Sequence, residues 1–312
     1  MSSLVSLGNT SLQVSKIGLG TVEIGLPYGI GVKDLPTDKE AEHILRSAVE
    51  MGITYIDTAR GYGVAEERIG KSEIAAMPGV VIGTKCGQFL KNEPDLHGAE
   101  LEKRIREDIE TSRSMLKQDQ LQLIQFHNEL ADFVNYQEIV EIFQRIKDQG
   151  KVLHFGIASR GEAATLAAYN TNFFETSQLA YSILDQRMTK EVLPQAQAKN
   201  LGVIIRSVLL KGALTPKANQ LPDELKPLRE NSVKAALLAE ELGMSLPDLA
   251  IRFVASNPAI STILIGTIKP HHLETALSAT IQEPLPKEVL EKLYALAIED
   301  PRQVDPGKWP KF

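Results

Sequence analysis

Along the chain, short runs of consecutive apolar and β-branched residues alternate with longer stretches whose apolar positions recur every three or four residues. The first pattern predicts strands buried on both faces, the second amphipathic helices. Eight strands are read: Lys16–Thr21, Thr54–Asp57, Val80–Lys85, Leu121–His127, Val152–Ala158, Thr176–Tyr181, Val203–Ser207 and Ser261–Gly266. Between them the spacing predicts helices over Thr37–Met51, Glu66–Ala76, Gly98–Leu116, Tyr136–Gln149, Gly161–Tyr169, Thr189–Lys199, Asn231–Leu242 and His272–Ala279. Gly52, Gly150 and Gly243 stand where left-handed C-terminal caps are wanted. A further helix, Leu246–Ala255, has Ser245 as candidate N-cap and Pro247 in its first turn.

Eight βα units in 312 residues fit an α/β fold of the TIM-barrel kind, (β/α)8, preceded by a hairpin in LVSLGNTSLQVSK that would plug the barrel floor. A doubly wound sheet is the rival. It is disfavoured because no strand-to-helix junction carries GxGxxG, and GLGTVEIG lacks the third glycine at the required place. Without linker, low-complexity tract or further repeat, residues 1–312 read as a single domain. Long segments follow strand ends at Cys86–His97, Asn128–Asn135 and Val208–Glu230, on the face where a barrel builds its site.

Charge and cysteine content narrow the class. With 34 Lys+Arg against 40 Asp+Glu, the net charge of −6 argues against nucleic acid and anionic membranes as partners. One cysteine makes no internal disulfide, the N-terminus carries no signal-peptide core, and no run reaches the roughly 18 apolar residues of a membrane span. A cytoplasmic protein is expected.

The chemistry is sought among polar residues at strand C-terminal ends. Asp57, Lys85 and His127 end three successive strands, and Tyr62 follows Asp57 by five residues. Each alone has a plain structural explanation: an aspartate caps a turn, a lysine snorkels, a lone histidine is satisfied in a core. Their joint placement at neighbouring strand ends is what such explanations leave out. The segments MGITYIDTARGYGVAEERIGK, IGTK and LIQFH resemble the motifs of the aldo-keto reductase superfamily, and the likeness runs from GLGT at Gly18 beyond IGTIKPHHLE at Ile265. The resemblance implies a catalytic tetrad of Asp57, Tyr62, Lys85 and His127. Hydride addition to a carbonyl builds charge on its oxygen, and a phenol of ordinary pKa about 10 needs help to donate there. Lys85 would favour the phenolate, Asp57 would hold Lys85, and His127 would direct the substrate oxygen.

The resemblance also implies NADP(H) as cofactor, with NAD(H) as the alternative. By position Thr21, Asp57, Ser159, Arg160, Gln178, Arg206, Ser207, Leu209, Lys211, Gly266, Thr267, Lys269 and His272 would contact it. Three departures stand out. Arg160 replaces an asparagine expected on the nicotinamide carboxamide beside Ser159 and Gln178. Arg206 replaces the aromatic residue that stacks on the nicotinamide, where a planar guanidinium could stack as well or else pair with a strand-end carboxylate. After the last strand only Lys269 and two histidines are placed for a 2′-phosphate, beside a helix N-terminus that favours anions.

A metal centre is not expected: the six histidines form no HxH or HExxH pattern, and adjacent His271 and His272 should diverge on a helix. Cys86 reads as a core thiol, and Glu102–Arg106 as an exposed i,i+4 pair. Phe89, Leu90, Leu130 and Phe133 suggest an apolar mouth, and Trp309 either walls the pocket or belongs to a disordered tail. The expectation is a monomeric enzyme that reduces aldehydes or ketones to alcohols, its partner a small carbonyl or alcohol. The alternatives are an NAD-dependent sugar or alcohol dehydrogenase and, in another class, a cofactor-binding regulatory subunit with little turnover.

Overall fold

The computed structural model describes residues 4–310, apart from 30, 129, 131, 132 and 134. Two short strands, β1 (Val5–Ser6) and β2 (Gln13–Val14), pair antiparallel as a hairpin. Eight parallel strands follow: β3 (Ile17–Gly20), β4 (Tyr55–Asp57), β5 (Val81–Cys86), β6 (Leu121–Asn128), β7 (Val152–Ser159), β8 (Thr176–Ala180), β9 (Gly202–Arg206) and β10 (Ile260–Gly266). They close into a barrel in which β10 pairs with β3. The eight predicted runs are these eight strands to within about two residues at each end.

The helices are α1 (Asp38–Glu50), α2 (Ala65–Ser72), α3 (Gly98–Leu116), α4 (Gln137–Asp148), α5 (Glu162–Asn170), α6 (Val192–Ala198), α7 (Lys226–Glu241), α8 (Leu246–Ala255) and α9 (Pro270–Thr280), then α10 (Lys287–Tyr294) and α11 (Pro301–Val304). Thr37 caps α1 reciprocally with Glu40, and the Ser245 hydroxyl accepts from the Asp248 N–H at the start of α8. Gly52, Gly150 and Gly243 all adopt the positive φ expected of them. Three boundaries differ from the sequence reading. Glu73, left-handed at φ 62°, ends α2 before Ala76; α6 starts only at Val192, which keeps Pro194 in the first turn; and α7 starts at Lys226, ahead of Asn231, with Pro227 in its first turn. The sequence reading assigned nothing to α10 and α11, which follow the last βα unit.

Inside the barrel floor a separate apolar cluster joins Tyr55, Val81, Leu123, Ile204 and Leu264 from the strands to Leu7, Leu12 and Val14 of the hairpin. The hairpin thus plugs the floor. Gly83 has to be glycine for this layer, since a Cβ there would run into the Tyr55 hydroxyl. A polar clamp adds to the plug. Ser11 Oγ lies 3.0 Å from His154 Nε2, and His154 Nδ1 lies 3.0 Å from Glu175 Oε1. The other Glu175 oxygen accepts from the Phe155 N–H at 3.1 Å and from Lys147 Nζ at 3.2 Å. Among the described residues no helix is long and apolar enough to cross a membrane.

Burial alone would push the Glu175 carboxyl up, but the hydrogen bonds from His154 and Phe155 and the charges of His154 and Lys147 outweigh it and hold its pKa below the usual range. A depressed carboxylate stabilises the fold above its unfolded pKa and loses that contribution as pH falls through the folded one. Glu175→Gln should therefore destabilise the protein by about 1–3 kcal/mol at pH 7. In thermal melts against wild type the difference should narrow toward pH 3; a constant difference across pH would place the cost in packing rather than charge.

Candidate active site

Parallel register brings strand-end residues to the same rim: Asp57 stands opposite Gly20 across β4 and β3, and Lys85 opposite Gln125 across β5 and β6. Beyond Asp57 the chain climbs along β5, with the Thr58 N–H donating to the Gly83 carbonyl at 2.9 Å and the Arg60 N–H to that of Lys85 at 3.1 Å. Arg60 is ion-paired with buried Glu66, which also accepts from Thr84 Oγ1 at 2.6 Å and Ser112 Oγ at 2.7 Å. One carboxylate thereby ties the turn carrying Tyr62 to β5 and α3.

At the rim the Lys85 side chain has no exposed surface. Its ammonium donates to Asp57 Oδ2 at 2.7 Å, to the Thr58 carbonyl at 2.8 Å and to Tyr62 Oη at 3.5 Å. Burial opposes its charge, yet Asp57 and Tyr62 outweigh burial and hold the pKa above the usual lysine value. The second Asp57 oxygen accepts from Gln178 Nε2 at 2.6 Å. His127, on β6, sets its ring edge-on to Tyr62 with centroids 6.5 Å apart. The four residues singled out from the sequence thus form one contiguous cluster, Asp57 on Lys85, Lys85 on Tyr62 and Tyr62 edge-on to His127.

The thirteen positions suggested for a cofactor divide. Thr21 donates to the Asp57 carbonyl at 2.8 Å, and Gln178 holds the Asp57 side chain, so both brace the centre. Ser159 Oγ lies 2.7 Å from Thr165 Oγ1. Arg160 turns to the C-terminal segment, with Asp305 oxygens at 3.1 and 3.4 Å. Arg206 has no carboxylate within ion-pair distance among the described residues, which removes the strand-end pairing considered for it; its guanidinium reaches only the Ser159 carbonyl and Ser207 Oγ, both at 3.5 Å. Burial, with Arg160 adding, lowers its pKa from the ordinary arginine value. Ser207 is left-handed, the Leu209 carbonyl accepts from the Gly212 N–H at 2.9 Å, and Lys211 places its ammonium 5.3 Å from the Tyr28 ring centre. Beyond β10, Gly266 lies beside Glu23, and Thr267 Oγ1 meets His272 Nδ1 at 2.8 Å and the Lys269 N–H at 3.0 Å. Lys269 precedes an α9 N-terminus that no side chain caps.

Some expectations are corrected. His271 and His272 do not diverge: at the first turn of α9 their rings lie 4.3 Å apart. Burial, with His271, Lys269 and Lys217 adding, lowers the His272 pKa, so it brings no positive charge near neutrality. Of the expected apolar mouth, Leu90 is buried, Phe89 lies under Arg104, and Phe133 packs 5.0 Å from Tyr136, because apolar side chains under long loops find helices to bury against. Within that loop 129, 131, 132 and 134 lie outside the described residues, as do 311 and 312 in the tail. The tail up to 310 is folded: Trp309 is buried in the main core, its indole donating to the Gln303 carbonyl at 2.8 Å. Cys86 is a buried thiol pushed well above its usual pKa by burial, with Asp108 and Glu66 adding.

Sequence reasoning missed Tyr28, Glu23 and Asp305. Tyr28, from the loop after β3, has its pKa raised by burial and by Tyr62, against Arg206 and Arg160, so it stands among the site's charges. An aromatic within the glycine-rich LPYGIG was the faint signal for it.

Residues 16–298 match the model of the Aldo/keto reductase family. Aldo-keto reductase YhdN of Bacillus subtilis (strain 168) is 29% identical over 298 residues, 88% of this chain and 88% of that protein. L-galactose dehydrogenase of Arabidopsis thaliana is 27% identical over 299 residues, 89% of this chain and 88% of that one. Among solved structures, aldo-keto reductase AKR11C1 from Bacillus halodurans, in its holo form, shares the fold with a TM-score of 0.77 at 23% identity, over 96% of this chain and 98% of that one.

Glu23 yields a pH test. Burial, partly offset by Lys217, raises its pKa to about 7. The folded state therefore prefers the neutral acid, and its stability falls as pH rises from the unfolded glutamate value toward 7. Glu23→Gln should leave stability near wild type at pH 4.5 and raise it by up to about 3 kcal/mol above pH 7.5. Urea denaturation at both pH values measures this; a pH-independent difference would mean that Glu23 ionises as a surface carboxylate does.

Proposed function

The chain belongs to the aldo/keto reductase family of oxidoreductases, and on that premise we propose that it reduces aldehydes or ketones to alcohols with a nicotinamide dinucleotide, on one barrel domain. The observation that carries this reading is the buried ammonium of Lys85 between the Asp57 carboxylate and the Tyr62 phenol. A fixed positive charge beside a phenol favours the phenolate, and so eases proton donation from Tyr62 Oη to a carbonyl oxygen. Asp57, held in turn by Gln178, keeps Lys85 charged and aimed. His127 directs the substrate oxygen by a hydrogen bond from the facing strand. When bound, the dinucleotide supplies the hydride.

The residues present fit such a group. Lys211, Lys217 and Lys269 bring positive charge to the rim, the uncapped α9 N-terminus offers free N–H groups to phosphate, and Gly266 leaves bare backbone beside it. The lysines favour NADP(H). A second reading, an NAD-linked alcohol or sugar dehydrogenase, is favoured by Glu23, since a carboxyl beside Gly266 accepts from ribose hydroxyls and repels an added phosphate when ionised.

Two measurements test the proposal. Tyr62→Phe should lower kcat with an aldehyde by roughly 10²-fold or more while leaving the Kd for NADPH nearly unchanged; near-normal turnover would remove Tyr62 from its role. Fluorescence titrations should give tighter binding of NADPH than of NADH. A preference for NADH would move the reading to the dehydrogenase, and binding of neither would overturn both.

A further inference from the structure

We propose that Arg206 sets the redox-state preference of the cofactor site: its fixed charge beside the reacting centre favours the uncharged reduced nicotinamide over the cationic oxidised one, and so promotes release of spent cofactor. The inference rests on the oxidoreductase reading above.

Arg206 is the last residue of β9, placed opposite Ala180 at the rim. A guanidinium offers five N–H donors, yet among the described residues this one has two hydrogen-bond contacts, both at 3.5 Å and both to neutral oxygens. The neighbouring charges are matched elsewhere. Lys85 is taken by Asp57 and Arg160 by Asp305, which leaves Arg206, among the described residues, as a positive charge at the rim with no carboxylate within ion-pair distance. Its guanidinium lies against the Ser159 carbonyl at the end of β7, on the rim where the strands bring Asp57 and Lys85, and the charges of Arg160, Tyr62, Asp305 and Tyr28 act on it there.

Hydride must arrive at the carbon whose oxygen meets Tyr62, so a bound nicotinamide would present its ring at the rim that carries Arg206, within reach of its charge. Arg206 is half-buried, so water screens its charge less than at the open surface and a like charge is opposed more strongly. Toward a neutral flat ring the guanidinium is a favourable stacking partner, so the reduced form carries no such penalty. The same charge favours the negative charge that develops on the substrate oxygen.

The test compares full-length wild type with Arg206→Met, which removes the charge at similar length, and Arg206→Lys, which keeps it. Kd values for NADPH and NADP+, and for NADH and NAD+, are measured by fluorescence and calorimetry. The ratio of oxidised to reduced Kd should fall roughly tenfold or more in Arg206→Met, mainly through tighter binding of the oxidised form, and should hold in Arg206→Lys. Thermal melts accompany the titrations: removal of a half-buried charge with no ion-pair partner among the described residues should leave Arg206→Met as stable as wild type or more so. The same ratio in wild type and Arg206→Met overturns the inference while leaving the proposed function standing. A ratio in Arg206→Lys as low as in Arg206→Met also overturns it, because charge would then not be the cause. If wild type binds neither redox form, the proposed function fails and this inference with it.

Discussion

The ion pair between Lys85 and Asp57 is the contact on which the rim of this barrel depends. An ammonium with no exposed surface is tolerated only with a carboxylate in contact and its remaining protons placed, and here Asp57, the Thr58 carbonyl and Tyr62 take them. Each partner is then braced. Gln178 crosses from β8 to hold the other Asp57 oxygen, and Thr21 holds the Asp57 backbone from β3. Loss of either charge would strand the other in the interior, so the pair constrains strands β3, β4, β5 and β8 together.

Around that pair the molecule separates an apolar floor from a charged rim along the barrel axis. At the floor, Leu7, Leu12 and Val14 complete the apolar layer, and the Ser11–His154–Glu175 clamp ties down the hairpin. At the rim, side chains arrive from loops with little local structure of their own, and position comes from long-range pairs. Glu66 ties the Tyr62 turn to β5 and α3, while Asp305 reaches back from the tail to Arg160. Arg206 is the exception, a guanidinium at the rim with no carboxylate within ion-pair distance among the described residues.

Much was legible in the sequence because its causes are local. Strands buried on both faces must read as apolar runs, helices against a barrel must read with one apolar stripe, and caps need particular residues at particular offsets; Ser245, Gly52 and Gly243 obey these rules. Strand-end polar residues were legible for the same reason, since parallel register carries residues at equivalent positions to one rim. The ends of α2 and α6 were less so, because a left-handed Glu73 and the placement of Pro194 depend on what the chain packs against next.

The sequence by itself determined the eight-fold βα alternation, the barrel it closes into, and the convergence of Asp57, Tyr62, Lys85 and His127. Only the tertiary structure decided which partners those groups take: that Gln178 and Thr21 brace Asp57, that Asp305 captures Arg160, that Arg206 meets no carboxylate among the described residues, and that Tyr28 and Glu23 stand at the rim. The reason is physical. Periodicity and capping act over a few residues and leave a mark on the sequence, whereas a pairing between residues 121 or 145 positions apart depends on folded distance and burial, which no local pattern encodes.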